Sequence, residues 1–334
     1  MPTKPDILAV SMGEPAGIGP EIVLKAWLAS EKEGLSPFVV FGDPELLESR
    51  ARMFGLSVPI LKCGLDDVFD AFPMHLPVIP LENKMNCNPG ELEVSNAPAV
   101  IEAIERATAA VLDGKAKALV TCPIQKSNLY KAGFEHPGHT EFLGVLAEQK
   151  TGESATPVMM FAGPELRTIP VTAHIALKDV PEALTPERIE LVARIVANDL
   201  KKGFGIVSPR IVVSGLNPHA GEEGKMGSED DAIIAPVVKK LQAEGIRISG
   251  PYPGDTLFHK RARETYDAAI AMYHDQALIP VKTIAFDETA NVTLGLPFIR
   301  TSPDHGTALD IAEKGIANPS SLIAAIELAG KLKA

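Results

Sequence analysis

Cysteine is scarce in this 334-residue chain: Cys63, Cys87 and Cys122 are the only three, far apart and without C-x-x-C spacing. An odd, scattered set excludes a disulfide framework and reads as small hydrophobes in a reducing compartment. Positive charge is also short, Lys+Arg 32 against Asp+Glu 43 giving a net charge of −11. That is the wrong sign for gripping a phosphate backbone along an extended surface, so nucleic acid is excluded as a partner, although a few local Lys and Arg still suffice for one small anion in a cleft. No stretch of 18 apolar residues occurs, and the N-terminal MPTKPDILAVSMG lacks the apolar segment of an export signal. The expectation is a cytoplasmic protein with no membrane partner. Internal repeats and low-complexity tracts are missing, and so are the G-x-G-x-x-G dinucleotide fingerprint and the P-loop.

What is present is material for two ordinary cores. The length exceeds one typical domain, and 46% hydrophobic residues can fill an interior without staples. Short apolar runs recur at Ile7 to Val10, Phe38 to Phe41, Ala118 to Val120, Arg167 to Val171, Ile211 to Val213 and Ala268 to Met272. They read as buried parallel strands. Helical patterns lie between them. One begins after Asn96, taken as its cap, with Pro98 in the first turn, and ends at Gly114; another starts at Thr185 with Pro186 and stops at Gly203. Strand and helix alternation predicts an α/β fold with a mostly parallel sheet covered on both faces. The 28 Pro and 27 Gly point to long loops, the clearest being Gly215 to Gly227, GLNPHAGEEGKMG.

Ligands of open α/β sheets bind beyond the carboxyl ends of the strands, and three of those positions carry histidine: His174, His219 and His274. Three imidazoles suit Zn or another borderline divalent ion and leave an open coordination position. Their spacing matches no local metal signature, so unrelated loop histidines remain the other reading. Asp255 is either a further group near the ion or a turn residue. Lys282, Asn291, Arg300, His139 and Thr140 supply the donors that a phosphate or carboxylate needs. Gly13, Gly17 and Gly19 follow a strand and open a helix expected to start at Pro20; they either hold an anion on free N–H groups or make a tight turn.

Taken in order, MGEPAGIGPE, TCPIQK, HPGHTEFL, VTAHIAL, GLNPHAGE-x-G, GPYPGDTLF, YHDQALIPVK and NVTLGLPFIRTSPDHGTALDIA resemble the metal-dependent 4-hydroxythreonine-4-phosphate dehydrogenases of vitamin B6 biosynthesis over nearly the whole chain. The resemblance implies metal ligands at His174, His219 and His274, substrate contacts at His139, Thr140, Lys282, Asn291 and Arg300, and a phosphorylated small-molecule substrate. It also implies a homodimer whose metal site draws histidine from both subunits, and an active site in a cleft between two α/β/α domains of the isocitrate and isopropylmalate dehydrogenase type. The expected division is residues 1–126 plus 300–334, containing both termini, and residues 127–299, carrying the metal histidines and dimer contacts. The segment DHGTALDIAEKGIANP is similar to the cofactor segment of isopropylmalate and isocitrate dehydrogenases, which puts His305, Gly306, Thr307, Asp310 and Asn318 against NAD or NADP. Glu313 and Lys314 depart from that pattern, and Glu14 stands where many relatives have Asp.

The implied reaction is metal-assisted oxidation of a 3-hydroxy acid by NAD or NADP, with Zn, Mg or Co as the ion, followed by loss of CO₂. Lys282 and Asp255 are the candidates for proton transfer. Related dehydrogenases of four-carbon sugar-acid phosphates or aromatic cis-dihydrodiols are the alternatives within the class. A metal-hydroxide hydrolase and a solute receptor are the alternatives outside it.

Overall fold

The computed structural model describes residues 6–333; residues 1–5 of the N-terminal stretch read for targeting lie outside the described residues. The chain divides into two compact units: one runs to Pro157 and resumes over Leu296–Leu332, and the other is Val158–Gly295.

The first unit contains β1 (Leu8–Ser11), β2 (Phe38–Gly42), β3 (Ile60–Lys62), β4 (Leu76–Pro80) and β5 (Ala118–Thr121); the second contains β6 (Val158–Ala162), β7 (Arg167–Pro170), β8 (Ile211–Ser214), β9 (Ile248–Tyr252), β10 (Ala268–Ala271) and β11 (Ala290–Leu294). The chain then returns to the first unit for β12 (Ile299–Pro303). Strands of the first unit lie in the order β3-β4-β2-β1-β5-β12, and each pairing is parallel. In the second unit the order is β9-β8-β10-β7-β6-β11. Its β9/β8, β8/β10 and β10/β7 pairings are parallel, whereas β7/β6 and β6/β11 are antiparallel.

All six apolar runs are strands. β1, β2, β5, β8 and β10 are buried along their whole length, as parallel strands covered on both faces must be. The other six strands carried weaker signals. Pro77 and Pro80 interrupt β4, and Pro251 follows a cis Gly250–Pro251 bond in β9, which lies at the sheet edge where a missing N–H costs no ladder bond. Helix Ala97–Leu112 packs on β1 and β2, helix Ser320–Lys331 on β5 and β12, and helix His274–Ile284 on β6, β7 and β10.

Three expectations are corrected. Asn96 does not cap the helix that follows it: its Oδ1 accepts from Asn86 N at 2.8 Å and its Nδ2 donates to Asn86 O, pinning the preceding loop instead. The first α/β helix starts at Gly19, with Pro20 second. The units divide at Pro157/Val158 rather than at 126/127, because helix His139–Thr151 packs on helix Ala97–Leu112 and so keeps residues 127–157 with the first unit. The return falls at Gly295/Leu296 rather than at 299/300. Of the cysteines, Cys122 is buried and its thiol is pushed up to about 12 by burial, while Cys63 and Cys87 are half-buried; all three are free thiols. Among the described residues, no helix is long and apolar enough to cross a membrane.

Candidate active site

In the second unit, β7, β10 and β8 are neighbours and parallel, so their carboxyl ends share one edge. The pairing of β7 with β10 continues past both strands: Val171 N donates to Ala271 O at 2.8 Å, Thr172 N to Met272 O at 3.2 Å, and Thr172 Oγ1 to the same Met272 oxygen at 2.7 Å. Zipping the two chains to this point carries His174 and His274 out side by side. Their ring centroids are 5.8 Å apart with planes at 44°. Both help line a cavity of about 320 Å³ with Thr172, Leu177, Tyr273 and Asp275.

Two features suit this pair to a metal ion. His274 Nδ1 lies 2.7 Å from Asp275 Oδ1, an arrangement that puts the ring proton on Nδ1 and leaves the Nε2 lone pair available. His174 holds φ 56°, and His219 holds φ 54°, a left-handed backbone that a non-glycine residue adopts at a cost. Two of the three predicted ligands are thus kept in strained conformations, which places their imidazoles at the expense of local stability.

His219 does not join the other two: among the described residues, no three His, Cys, Asp or Glu side chains converge in metal-binding geometry within one chain. It lies instead in a loop whose residues His219, Ala220, Gly221, Glu222, Glu223 and Gly224 all have φ between 43° and 82°, one full turn of left-handed backbone. Buried Asp230 clamps the base of that turn. Its carboxylate accepts from Leu216 N at 2.8 Å, Asn217 N at 3.2 Å and Asn217 Nδ2 at 2.9 Å. Gln276 joins the His219 loop to the β10 end, accepting from Met272 N at 2.7 Å and donating to Gly215 O at 2.8 Å. Neither residue was singled out in the sequence. Asp230 sits in the acidic run GSEDDA, which reads as solvated surface, and Gln276 falls within the YHDQALIPVK motif without a role of its own being assigned there.

The remaining second-unit candidates are dispersed. Exposed Asp255 lies in the short helix Gly254–Leu257, which packs on the Pro218–Gly221 turn beside His219. Lys282 is on helix His274–Ile284, its ammonium 4.7 Å from the Phe286 ring centroid. Asn291 is on β11 opposite Phe161, and its Oδ1 is enclosed without a hydrogen-bond partner among the described residues. A larger cavity of about 760 Å³ beside Arg210 and Tyr266 holds none of the predicted residues. Two of its polar side chains are engaged within the protein, Arg210 by Asp267 at 2.9 Å and the Tyr266 hydroxyl by Leu257 O at 2.8 Å.

In the first unit, Arg300 on β12 and His139 at the start of helix His139–Thr151 belong to one charged cluster. Arg300 is buried and reaches Thr121 Oγ1 on β5 with Nε at 3.1 Å and Nη2 at 2.7 Å; burial pushes its pKa down to about 10, and Glu141 opposes that shift. His139 Nε2 is enclosed and has no partner among the described residues. Burial, and then the charges of Arg300 and Lys126, hold its imidazole well below the ordinary value. Thr140 is the second residue of the same helix.

The predicted cofactor segment meets the glycine motif in this unit. Thr307 O accepts from Ile18 N at 2.9 Å, and Thr307 Oγ1 donates to Gln125 Oε1 at 2.8 Å. A Cβ at Gly17 would lie 2.8 Å from that carbonyl oxygen, so Gly17 is required by close approach. Gly13, with φ 77°, lies against Pro123 O in the same manner. Gly17 therefore serves tight packing against the HGTALD segment, and Gly13 and Gly19 pack closely against Pro123, Cys122 and Met12. Asn318 Oδ1 accepts from Ser320 N and Oγ at 3.0 and 2.7 Å at the start of the last helix, His305 Nδ1 lies 3.0 Å from Gly306 O, and Asp310 is exposed.

An α/β enzyme with histidines gathered beyond its strand ends and a buried arginine beside a half-buried histidine is the class these features define. The family described as pyridoxal phosphate biosynthetic protein PdxA matches residues 34–329. A 4-hydroxythreonine-4-phosphate dehydrogenase of Methylorubrum populi is 55% identical over 97% of this chain and 94% of its own length. The crystal structure of a 4-hydroxythreonine-4-phosphate dehydrogenase from Burkholderia phymatum superposes with a TM-score of 0.85 at 34% identity, covering 98% of each chain. A terephthalate 1,2-cis-dihydrodiol dehydrogenase from Burkholderia xenovorans is more distant, with a TM-score of 0.63 and 28% identity over 97% of each chain. The chain belongs to the PdxA family and is an oxidoreductase of vitamin B6 biosynthesis.

Proposed function

We propose that the protein oxidises the C3 hydroxyl of 4-phosphohydroxy-L-threonine, passing hydride to NAD or NADP and releasing a proton. The product, 2-amino-3-oxo-4-phosphooxybutanoate, loses CO₂ to give 3-amino-2-oxopropyl phosphate, a step in making pyridoxine 5'-phosphate. The observation that carries this reading is the His174–His274 pair with Asp275 orienting His274.

His174, His274 and His219 are the proposed metal ligands. A bound Zn, Mg or Co ion would supply Lewis-acid stabilisation of the negative charge that develops on the C3 oxygen during oxidation and decarboxylation. The donor set fits Zn or Co better than Mg, which prefers oxygen ligands: three imidazoles, one with its tautomer fixed by a carboxylate. Because His219 stands apart within one chain, a homodimer in which the partner completes the ligand set follows naturally. Apolar side chains of the same unit favour it, with Leu177 67%, Ile279 62% and Phe286 68% exposed on the His174 loop and on or just beyond the His274 helix.

Arg300, His139 and Thr140 are proposed to bind phosphate, together with Lys282 and Asn291 as further substrate contacts. Asn291 Oδ1 awaits a donor such as the substrate ammonium or hydroxyl. Lys282 and Asp255 remain the proposed proton-transfer groups. NAD or NADP is proposed to lie along His305, Gly306, Thr307, Asp310 and Asn318. Metal analysis of the purified enzyme, combined with NADH or NADPH formation from 4-phosphohydroxythreonine, a four-carbon sugar-acid phosphate and a cis-dihydrodiol, tests the reading. Turnover of the first substrate is expected to dominate and to vanish on chelation; preferred turnover of a dihydrodiol would transfer the chain to the rival activity.

A further inference from the structure

Gly138 precedes helix His139–Thr151 with φ −177°, extended backbone open to any residue, so conformation does not demand glycine there. Space does. A Cβ at Gly138 would lie 2.7 Å from Lys126 Nζ and 2.9 Å from Glu141 Oε2. The ammonium of Lys126, the first residue of helix Lys126–Lys131, therefore rests over the Gly138 Cα, in front of the next helix's amino end. No side chain caps that end.

The consequence is an accumulation of like charge. Lys126 and Arg300 both act on His139, whose Nε2 is enclosed, and the helix end adds its own partial positive charge. Glu141 is the carboxylate that acts on Arg300. Two cations and the helix end outnumber this single carboxylate, and a multiply charged anion offsets the positive charge that remains. With Glu141 already opposing one of the two cations, the remaining cation and the helix end's partial charge are offset together by a phosphate monoester, which carries about 1.5 to 2 negative charges at pH 7, and only in part by a carboxylate, which carries one.

We infer that Lys126 is a further substrate-binding residue, an ammonium that pairs with the substrate's phosphate beside Arg300 and the first turn of helix His139–Thr151. The inference deepens the proposed function and rests on it in taking phosphate as the recognised group. The missing Cβ at Gly138 leaves the ammonium room to lie there.

The test uses the full-length, metal-loaded enzyme and its K126Q and K126R variants. Calorimetric titration with inorganic phosphate at fixed ionic strength gives the anion affinity, thermal midpoints with and without phosphate give the structural cost, and steady-state kinetics give KM and kcat for the phosphorylated substrate. K126Q is expected to weaken phosphate about tenfold and to raise KM by a similar factor, the size of one charge-assisted hydrogen bond. Its midpoint without phosphate should hold or rise, because a repulsion has been removed, and K126R should recover most of the affinity. Undiminished phosphate affinity in K126Q, no phosphate binding by the wild type, or a lowered midpoint with affinity intact would each overturn the inference. The phosphate arm needs neither substrate nor nicotinamide, so it separates the two readings. Lys126-dependent phosphate binding without turnover of 4-phosphohydroxythreonine would sink the proposed function alone; normal turnover with K126Q indistinguishable from wild type would sink this inference alone.

Discussion

Single side chains set the chemistry, and two of them give direct tests. Asp275 bonds His274 Nδ1 at 2.7 Å, so Asp275→Ala should release the tautomer and lower metal affinity about 10- to 100-fold, read by competition with a fluorescent chelator. His139 is depressed below its ordinary 6.5 by burial and by Arg300 and Lys126, with Glu141 near the same cluster. Below pH 6.5 the unfolded chain takes up a proton at this imidazole that the folded chain refuses, so the unfolded state gains and stability falls. The loss should begin as pH drops through about 6.5 and level off once the folded-state value is passed; above 6.5 the group contributes nothing. Urea unfolding between pH 5 and 8 should show this acid limb flattened in His139→Gln. An unaltered slope would assign the limb to other groups. His139 and His274 were both visible as candidates in the sequence, but Asp275 was not, because an acid beside a histidine at a helix start is common and only the measured contact gives it a role.

At the scale of elements, the left-handed turn at 219–224 stands out. Four of its six residues, His219, Ala220, Glu222 and Glu223, carry a Cβ, and left-handed backbone costs each about 1–2 kcal/mol. Exposed Glu222 and Glu223 can be tested without touching the histidine. Either residue replaced by glycine should stabilise the protein by about 0.5–1 kcal/mol in denaturant unfolding, after the extra chain entropy of glycine is subtracted. Asp230→Ala should do the opposite, since Leu216 N, Asn217 N and Asn217 Nδ2 lose their acceptor. A cost of about 2–3 kcal/mol is expected, with His219-dependent activity falling further than stability explains. The loop was recognisable from GLNPHAGEEGKMG, but its hand was not. The left-handed backbone at Glu222 and Glu223 belongs to the folded loop as a whole, and no local rule makes glutamate left-handed.

For the molecule as a whole, the decisive prediction concerns assembly. If a second copy completes the ligand set and covers Leu177, Ile279 and Phe286, Leu177→Glu should shift sedimentation toward monomer and lower metal content together. Monomer with full metal occupancy would break that link. The amino-acid sequence by itself determined the α/β class and six of its strands, because short, mostly apolar runs between helical patterns are best buried inside a sheet covered on both faces. It also determined which histidines leave the strand ends, since strand and turn residues are local signals. Tertiary structure alone decided that His174 and His274 meet while His219 stays apart, that residues 127–157 belong with the first unit, and that Gly17 of the glycine motif packs on Thr307. Those outcomes depend on parallel register and helix packing between segments a hundred or more residues apart, as in Thr172 against Met272 or Gly17 against Thr307, and such pairings are fixed by the whole core and by no short stretch of chain.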